Sequence, residues 1–326
     1  MDQLLIALRY YASGTFQIVV GDGFGVDKAT VCRTVHHVTR VIAALQPQYV
    51  RFPDTDQQLH DTMQLFYNRS GLPGIIGAVD CTHVSIQSPG GEDAEIYRNR
   101  KGRFSVNVQL VSDCTGYITN VVARWPGSVH DSTIFDNSHL RAKLESGQLK
   151  GYLVGDGGYA CRRYLLTPVA NPVNPAENAY NNAHAVARNC IERTNGILKR
   201  RFPALKYGMR LRVDNTLPVI VATVVLHNIA ITAGDKEPEQ DEQLVEFMAS
   251  QRQAALADDY DVQDIQPPAA VNHPGAIGMR RTLIDNYFWQ TKQFYCHYMQ
   301  LLNINHKLRI LWPLFLIFVK ICYAYM

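Results

Sequence analysis

No C-x-x-C pair occurs in the 326 residues, and the seven cysteines are odd in number. That pattern argues against a disulfide framework and against a thiolate zinc site, and a reducing compartment is the simpler setting. Long apolar runs are missing too. The strongest, "ILWPLFLIFV" at 310–319, has ten residues between Arg309 and Lys320. It falls short of the ~20 residues that cross a bilayer, so it reads as a buried tail and no membrane partner is expected. The opening "MDQLLIALRYY" has an acidic second residue and no long apolar core, so no secretory leader is expected. Internal repeats are absent, and charge bias is slight. A net charge of +3 neither demands nor excludes nucleic acid, because distribution matters more than the sum.

What is present is a chain that can build a sizeable core, 47% hydrophobic and 19% charged, long enough for two domains or one with appendages. Residues 4–12 carry apolar side chains at helical spacing. "GTFQIVVGDGFGVDKATVCRTVHHVTRVIAAL" (14–45) reads as a short helix, a glycine-rich turn and a longer helix. Asp27 sits at the expected N-cap, and Val31, Val35, Val38 and Ile42 make one apolar stripe. Lys28, Arg33, His37 and Arg40 lie opposite that stripe. This is the pattern of a helix-turn-helix with a basic outer face, and also of small helical domains that bind nothing.

A loop containing Pro53 and Pro73 follows, and then the period changes. "GIIGAVDCTHVSI" (74–86), "FSVNVQLVSD" (104–113) and "YITNVVARW" (117–125) read as three strands of an antiparallel meander. The basic loop "YRNRKGR" (97–103) lies between the first two. A helical stretch starts near His130, and "GYLVGD" (151–156) is a fourth strand. Two helices follow, at 177–202 and 217–231, the first with Ala183, Val186, Cys190 and Ile197 on one side. The segment from about 234 to 270 is acidic, contains prolines and reads as a linker.

Acids stand at three points of this pattern: Asp80 inside the first strand, Asp156 at the end of the fourth, and Glu192 on the long helix. If the fourth strand pairs parallel to the first, Asp80 and Asp156 become neighbours, and a helix packed across them adds Glu192. Adjacent buried carboxylates repel, and a divalent cation relieves them. An oxygen-only donor set suits Mg²⁺ or Mn²⁺, and two such ions activate water against a phosphodiester. The glycines around Asp156, in "LVGDGGY", then let a nucleic-acid backbone approach closely. Plainer readings stand beside these. "GDG" is an ordinary turn, and Asp80 fits hydrogen bonding to Thr82 or His83. Glu192 shares a stripe with Arg188 and Lys199 and fits a simple i, i−4 ion pair. Asp131 reads first as a helix N-cap and second as a fourth ligand.

"GIIGAVDCTHVSI", "WPGSVHDSTIF", "LVGDGGY" and "NCIERTNGILKRRFPAL" together resemble the PIF/Harbinger transposase superfamily. The 35 residues between Asp156 and Glu192 (157–191) match that family's D-D-E interval. The resemblance covers residues 4 to about 288. The chain opens inside the family's helical domain, and Gly157 stands where the family usually has Ser. The resemblance implies an α/β, RNase H-like DDE nuclease core, a mixed sheet of five-stranded type with helices, preceded by an all-α helix-turn-helix-like domain. It divides the chain into a helical domain (1–67), an endonuclease domain (68–233), an acidic linker (234–275) and a C-terminal tail (276–326) unassigned from about 289. It maps the catalytic and metal-binding triad to Asp80, Asp156 and Glu192.

The implied function is a transposase-derived, metal-dependent nuclease that hydrolyses DNA by a two-metal-ion mechanism with Mg²⁺ or Mn²⁺. Lys28, Arg33 and Arg40 of the helical domain, Arg98, Arg100, Lys101 and Arg103 of the loop, and Lys199, Arg200 and Arg201 of the long helix are the expected phosphate binders. A domesticated DNA-binding scaffold is the alternative. By the same resemblance a separate Myb-like DNA-binding protein carries the chain to the nucleus, which gives a nuclear and cytoplasmic distribution. A homo-oligomer is left open.

Overall fold

The computed structural model describes residues 2–53, 55–239 and 273–289. Most of the expected linker, and the tail from residue 290 with its apolar run, lie outside the described residues. Eleven α-helices and five strands, numbered in chain order, lie among the described residues. Three N-terminal helices, α1 (Asp2–Ser13), α2 (Gln17–Phe24) and α3 (Lys28–Ala43), pack on one another. The turn before α3 needs glycine, since a Cβ on Gly21 would lie 2.4 Å from the Val26 carbonyl oxygen. Asp27 caps α3 by accepting the Thr30 amide at 2.8 Å. Val31, Val35, Val38 and Ile42 are buried as their spacing predicts, and Lys28, Arg33, His37 and Arg40 are exposed.

After the short α4 (Gln46–Tyr49) comes α5 (Asp56–Ser70), where the sequence suggested only a loop. Leu59, Met63 and Phe66 stand at i, i+4 and i+7 and form its short inward stripe, with Phe66 fully buried and the other two half-buried against the core. Five strands then form one mixed sheet: β1 (Ile75–Ser85), β2 (Ser105–Ser112), β3 (Ile118–Pro126), β4 (Tyr152–Val154) and β5 (Leu165–Leu166). Their order is β3-β2-β1-β4-β5. The first three make the expected antiparallel meander. β4 pairs parallel to β1, with Ala78 opposite Val154, and parallel to β5. Between β3 and β4 run α6 (Asp131–Asp136) and α7 (His139–Glu145).

Every position of β2 is buried, because both faces of the sheet are covered. On one face Ile76, Val79, Val111 and Leu153 pack with Phe135 and Leu140 of α6 and α7. On the other, Ile75, Ala78, Leu110 and Val154 join the larger core with α8 (Pro175–Arg201) and α10 (Val213–Thr232); α9 (Ala204–Tyr207) links these two helices.

The 27-residue α8 is capped by Asn174, which accepts the Glu177 amide at 2.9 Å, and ends in Lys199, Arg200 and Arg201, cations that suit the negative end of its dipole. Val186 is exposed rather than part of its buried stripe; Ala187, Ile191 and Thr194 take that place beside Ala183, Cys190 and Ile197. Helix α10 is apolar on all sides because it packs against α3, β3 and α8. Its Asn228 is fully buried and takes the Ile118 amide while donating to the Tyr49 and Ile118 carbonyls. Helix α11 (Pro274–Ile284) returns to the β5 end. There Arg280 donates to the Thr167 and Pro168 carbonyls, and Phe288 stands edge-on to Tyr180.

Candidate active site

β1 is buried from Ile75 to Val79 and emerges from the core at Asp80. Asp80 lies two residues beyond Ala78, and Asp156 lies two beyond Val154. Since Ala78 and Val154 are register partners on parallel strands, the two acids come to the same end of the sheet. The period-two alternation that puts Ala78 on the α8 face puts Asp80 there as well. Burial pushes the Asp80 carboxyl up to about 6; the Arg188 charge draws it down, and Asp156 and then Asp131 push it up again. Asp156 and Asp131 therefore both stand near enough for their charges to act on Asp80.

Asp80 is not bonded to Thr82 or His83. The Asn195 side chain, reaching from α8, donates to its Oδ2 at 3.0 Å. The Lys199 ammonium bonds Thr82 Oγ1 at 2.6 Å and the His83 carbonyl at 2.8 Å, and His83 Nδ1 meets Ser105 Oγ at 3.1 Å. Burial lowers Lys199 to about 8, and the Asp80 charge opposes that drop. Asp131 is not the N-cap of α6. His130 holds that position and makes no side-chain cap bond, while Asp131 is the first helical residue and its Oδ1 accepts from Asn107 at 2.8 Å.

Asp156 combines both readings of its glycine-rich setting. Its Oδ1 accepts the Gly158 amide at 3.0 Å, a local Asx turn, and Gly157 faces open space. Glu192 lies apart from the aspartates in one respect. Its side chain is 52% exposed and its Oε1 is 2.5 Å from the Arg188 guanidinium, the i, i+4 pair foreseen from spacing. Among the described residues no group of three His, Cys, Asp or Glu side chains stands at metal-binding separation.

Among the described residues the basic side chains divide into unpaired and engaged. Lys28, Arg40, Arg100, Lys101 and Arg103 are exposed, and Arg33 bonds its helical neighbour Thr30. Arg98 is held by Glu95 at 2.7 Å and lies over the Phe104 ring. Lys199 is tied to β1, Arg201 pairs with Asp235, and Arg200 is half-buried. Sequence reasoning missed Asn195 and Asn107. The first carried a usable signal, three residues after Glu192 and so on the same helical face.

The sequence that carries these carboxylates has relatives among known proteins. The profile of the DDE superfamily endonucleases matches residues 79–228, a span that contains Asp80, Asp156 and Glu192. The chain belongs to this superfamily, in its Harbinger transposase branch. "Putative nuclease HARBI1" of Homo sapiens is 37% identical over 236 residues, which cover 71% of this chain and 67% of the relative. "Protein ALP1-like" of Arabidopsis thaliana is 28% identical over 252 residues, 72% of this chain and 61% of the relative. No solved structure matches.

The donor chemistry fits a divalent cation. Asp80 is a half-buried carboxylate that feels the charge of two others, and the Asn195 carboxamide oxygen beside it is buried with no donor. Hard oxygen donors with room for water suit Mg²⁺ or Mn²⁺. Asp80 and Asp156 would hold the ion, and Glu192 would complete the set once released from Arg188.

Proposed function

We propose that the chain is a transposase-derived endodeoxyribonuclease that depends on Mg²⁺ or Mn²⁺ and works by two metal ions on Asp80, Asp156 and Glu192. The observation that carries this reading is the parallel pairing of β1 with β4, which brings Asp80 and Asp156 to one sheet end under α8. Bound there, divalent ions supply Lewis acidity to the attacking water and the leaving oxygen of a phosphodiester. Gly157 leaves Asp156 open to a DNA backbone. Arg100, Lys101 and Arg103 on the loop after β1, with Lys28, Arg33 and Arg40 on α3, track phosphates without reading sequence. The basic stretch "LKRRF" is occupied within the fold, by β1 and by Asp235. That favours a Myb-like DNA-binding partner as the carrier between cytoplasm and nucleus.

A second reading, a DNA-binding scaffold with little nuclease activity, draws on the engagement of Glu192 by Arg188. Supercoiled plasmid incubated with the protein and Mg²⁺ or Mn²⁺, beside Asp156→Ala, separates the two. Metal-dependent nicking that vanishes in the variant is the expected result. Plasmid binding without cleavage in either metal would leave the scaffold.

A further inference from the structure

Asn195 is only 8% exposed. Its neighbours on the buried side of α8, Ile191 and Leu198, are apolar, so packing alone calls for another apolar residue. Instead the position holds a carboxamide that is half satisfied. The amide nitrogen donates to Asp80 Oδ2 at 3.0 Å, and the carbonyl oxygen is buried with no hydrogen-bond partner. The orientation is fixed by chemistry, since an ionised carboxylate accepts and never donates. A half-satisfied buried amide costs stability, and that cost points to a ligand at the open oxygen.

Glu192 and Asn195 are three residues apart and share a face of α8. The residue that holds Asp80 is thus a helical neighbour of Glu192. We infer that Asn195 is a positioning residue of the site: it fixes the Asp80 carboxylate and turns its free carboxamide oxygen toward the hydration shell of a divalent cation. This rests on the metal-dependent reading proposed above. Groups that orient metal ligands in this way typically change metal affinity by about 10–100-fold when removed.

The test is calorimetric titration of the full chain with Mn²⁺ for the wild type, Asn195→Leu and Asp80→Asn, with melting temperatures taken in chelator. Leucine keeps the volume and removes both donor and acceptor. The expected result is Mn²⁺ affinity at least about tenfold weaker in Asn195→Leu, with a metal-free melting temperature equal to or above wild type. Unchanged affinity in the folded variant, with or without a lower melting temperature, would reduce Asn195 to a structural residue and overturn the inference. Should leucine prevent folding, Asn195→Ala is measured against the same criterion. A wild type that binds no Mn²⁺ overturns both this inference and the reading beneath it. Binding lost in Asp80→Asn but kept in Asn195→Leu overturns this inference alone.

Discussion

Arg188 and Glu192, one turn apart on α8, form a 2.5 Å ion pair, and the same guanidinium draws down the carboxyl of Asp80. A single cation thus serves two of the three proposed ligands and competes with a metal for both. The Glu192 side chain is 52% exposed, so its pairing is worth at most ~1 kcal/mol. Freeing Glu192 in Arg188→Gln should therefore contribute no more than about fivefold to Mg²⁺ affinity, with a further gain through Asp80, and the total should shrink at high salt. Calorimetry at two ionic strengths reads this directly. Weaker binding in the variant would show the arginine to be an aid and not a competitor.

The raised Asp80 carboxyl gives the metal-free protein a pH signature. Its folded value is about 6, against an unfolded value near 3.9. Between these the native state holds a proton that the unfolded chain has lost, so stability falls as pH rises through the window. Asp80→Asn should raise the melting temperature at pH 7 and leave it unchanged at pH 4. The gain has an upper bound of about 3 kcal/mol. Staying at or below pH 7 avoids Lys199, which titrates near 8. Thermal melts in chelator at both pH values check the sign.

Arg100, Lys101 and Arg103 are exposed and make no ion pair among the described residues. Reversing all three to Glu should weaken DNA binding for every sequence and lower the salt slope of log K by about one for each phosphate left without its cation. Arg201→Ala, which removes a cation already paired with Asp235, should change the slope far less. Fluorescence anisotropy over a salt series distinguishes them.

Asn228 ties α10 to β3 and to the end of α4 through three bonds of 2.6–2.9 Å. Asn228→Leu strips the buried Ile118 amide and carbonyl of their side-chain partner, while the Tyr49 carbonyl keeps the Tyr117 hydroxyl. Roughly 1–3 kcal/mol for each of these two groups puts the loss at about 2 kcal/mol or more, which lowers the melting temperature by roughly 4 °C or more in a chain of this size. Calorimetry should show this without any change in metal binding.

The glycines around Asp156 have different duties. A Cβ on Gly155 would lie 2.9 Å from the Tyr159 ring and 3.2 Å from Leu165, whereas Gly157 faces open space. Gly155→Ala should destabilise the fold by about 1–3 kcal/mol, and Gly157→Ala should be neutral in stability. A loss of DNA binding in Gly157→Ala with an unchanged melt would mark the point of backbone approach.

Much of this architecture was legible in the sequence where burial repeats with a period. The stripe of α3 and the meander follow from such repeats, whereas the parallel return of β4 beside β1 entered only as a condition that the sheet then met. Helix α5 was not legible, although Leu59, Met63 and Phe66 repeat at helical spacing, because three inward apolar residues in a largely polar stretch make a faint period. Two-residue β5 is too short to show alternation. Asp131 resembled a cap since a cap and a first-turn acid differ by one position. The acids themselves stood out as charges in apolar runs. What spacing could not supply is how their charges are shared, because Arg188, Asn195 and Asn107 act through side-chain directions that only the packed sheet defines.

The pairing of β4 with β1 spans a long stretch of chain, while the β1-β2-β3 meander joins neighbours in sequence. Closing the longer loop costs more entropy, and such contacts form late. Asp80 and Asp156 are thus strangers on a nascent or partly unfolded chain and meet only when the last strands dock. The proposed nuclease centre, assembled this way, would carry its own safety catch, in which cutting chemistry has to wait for a finished fold.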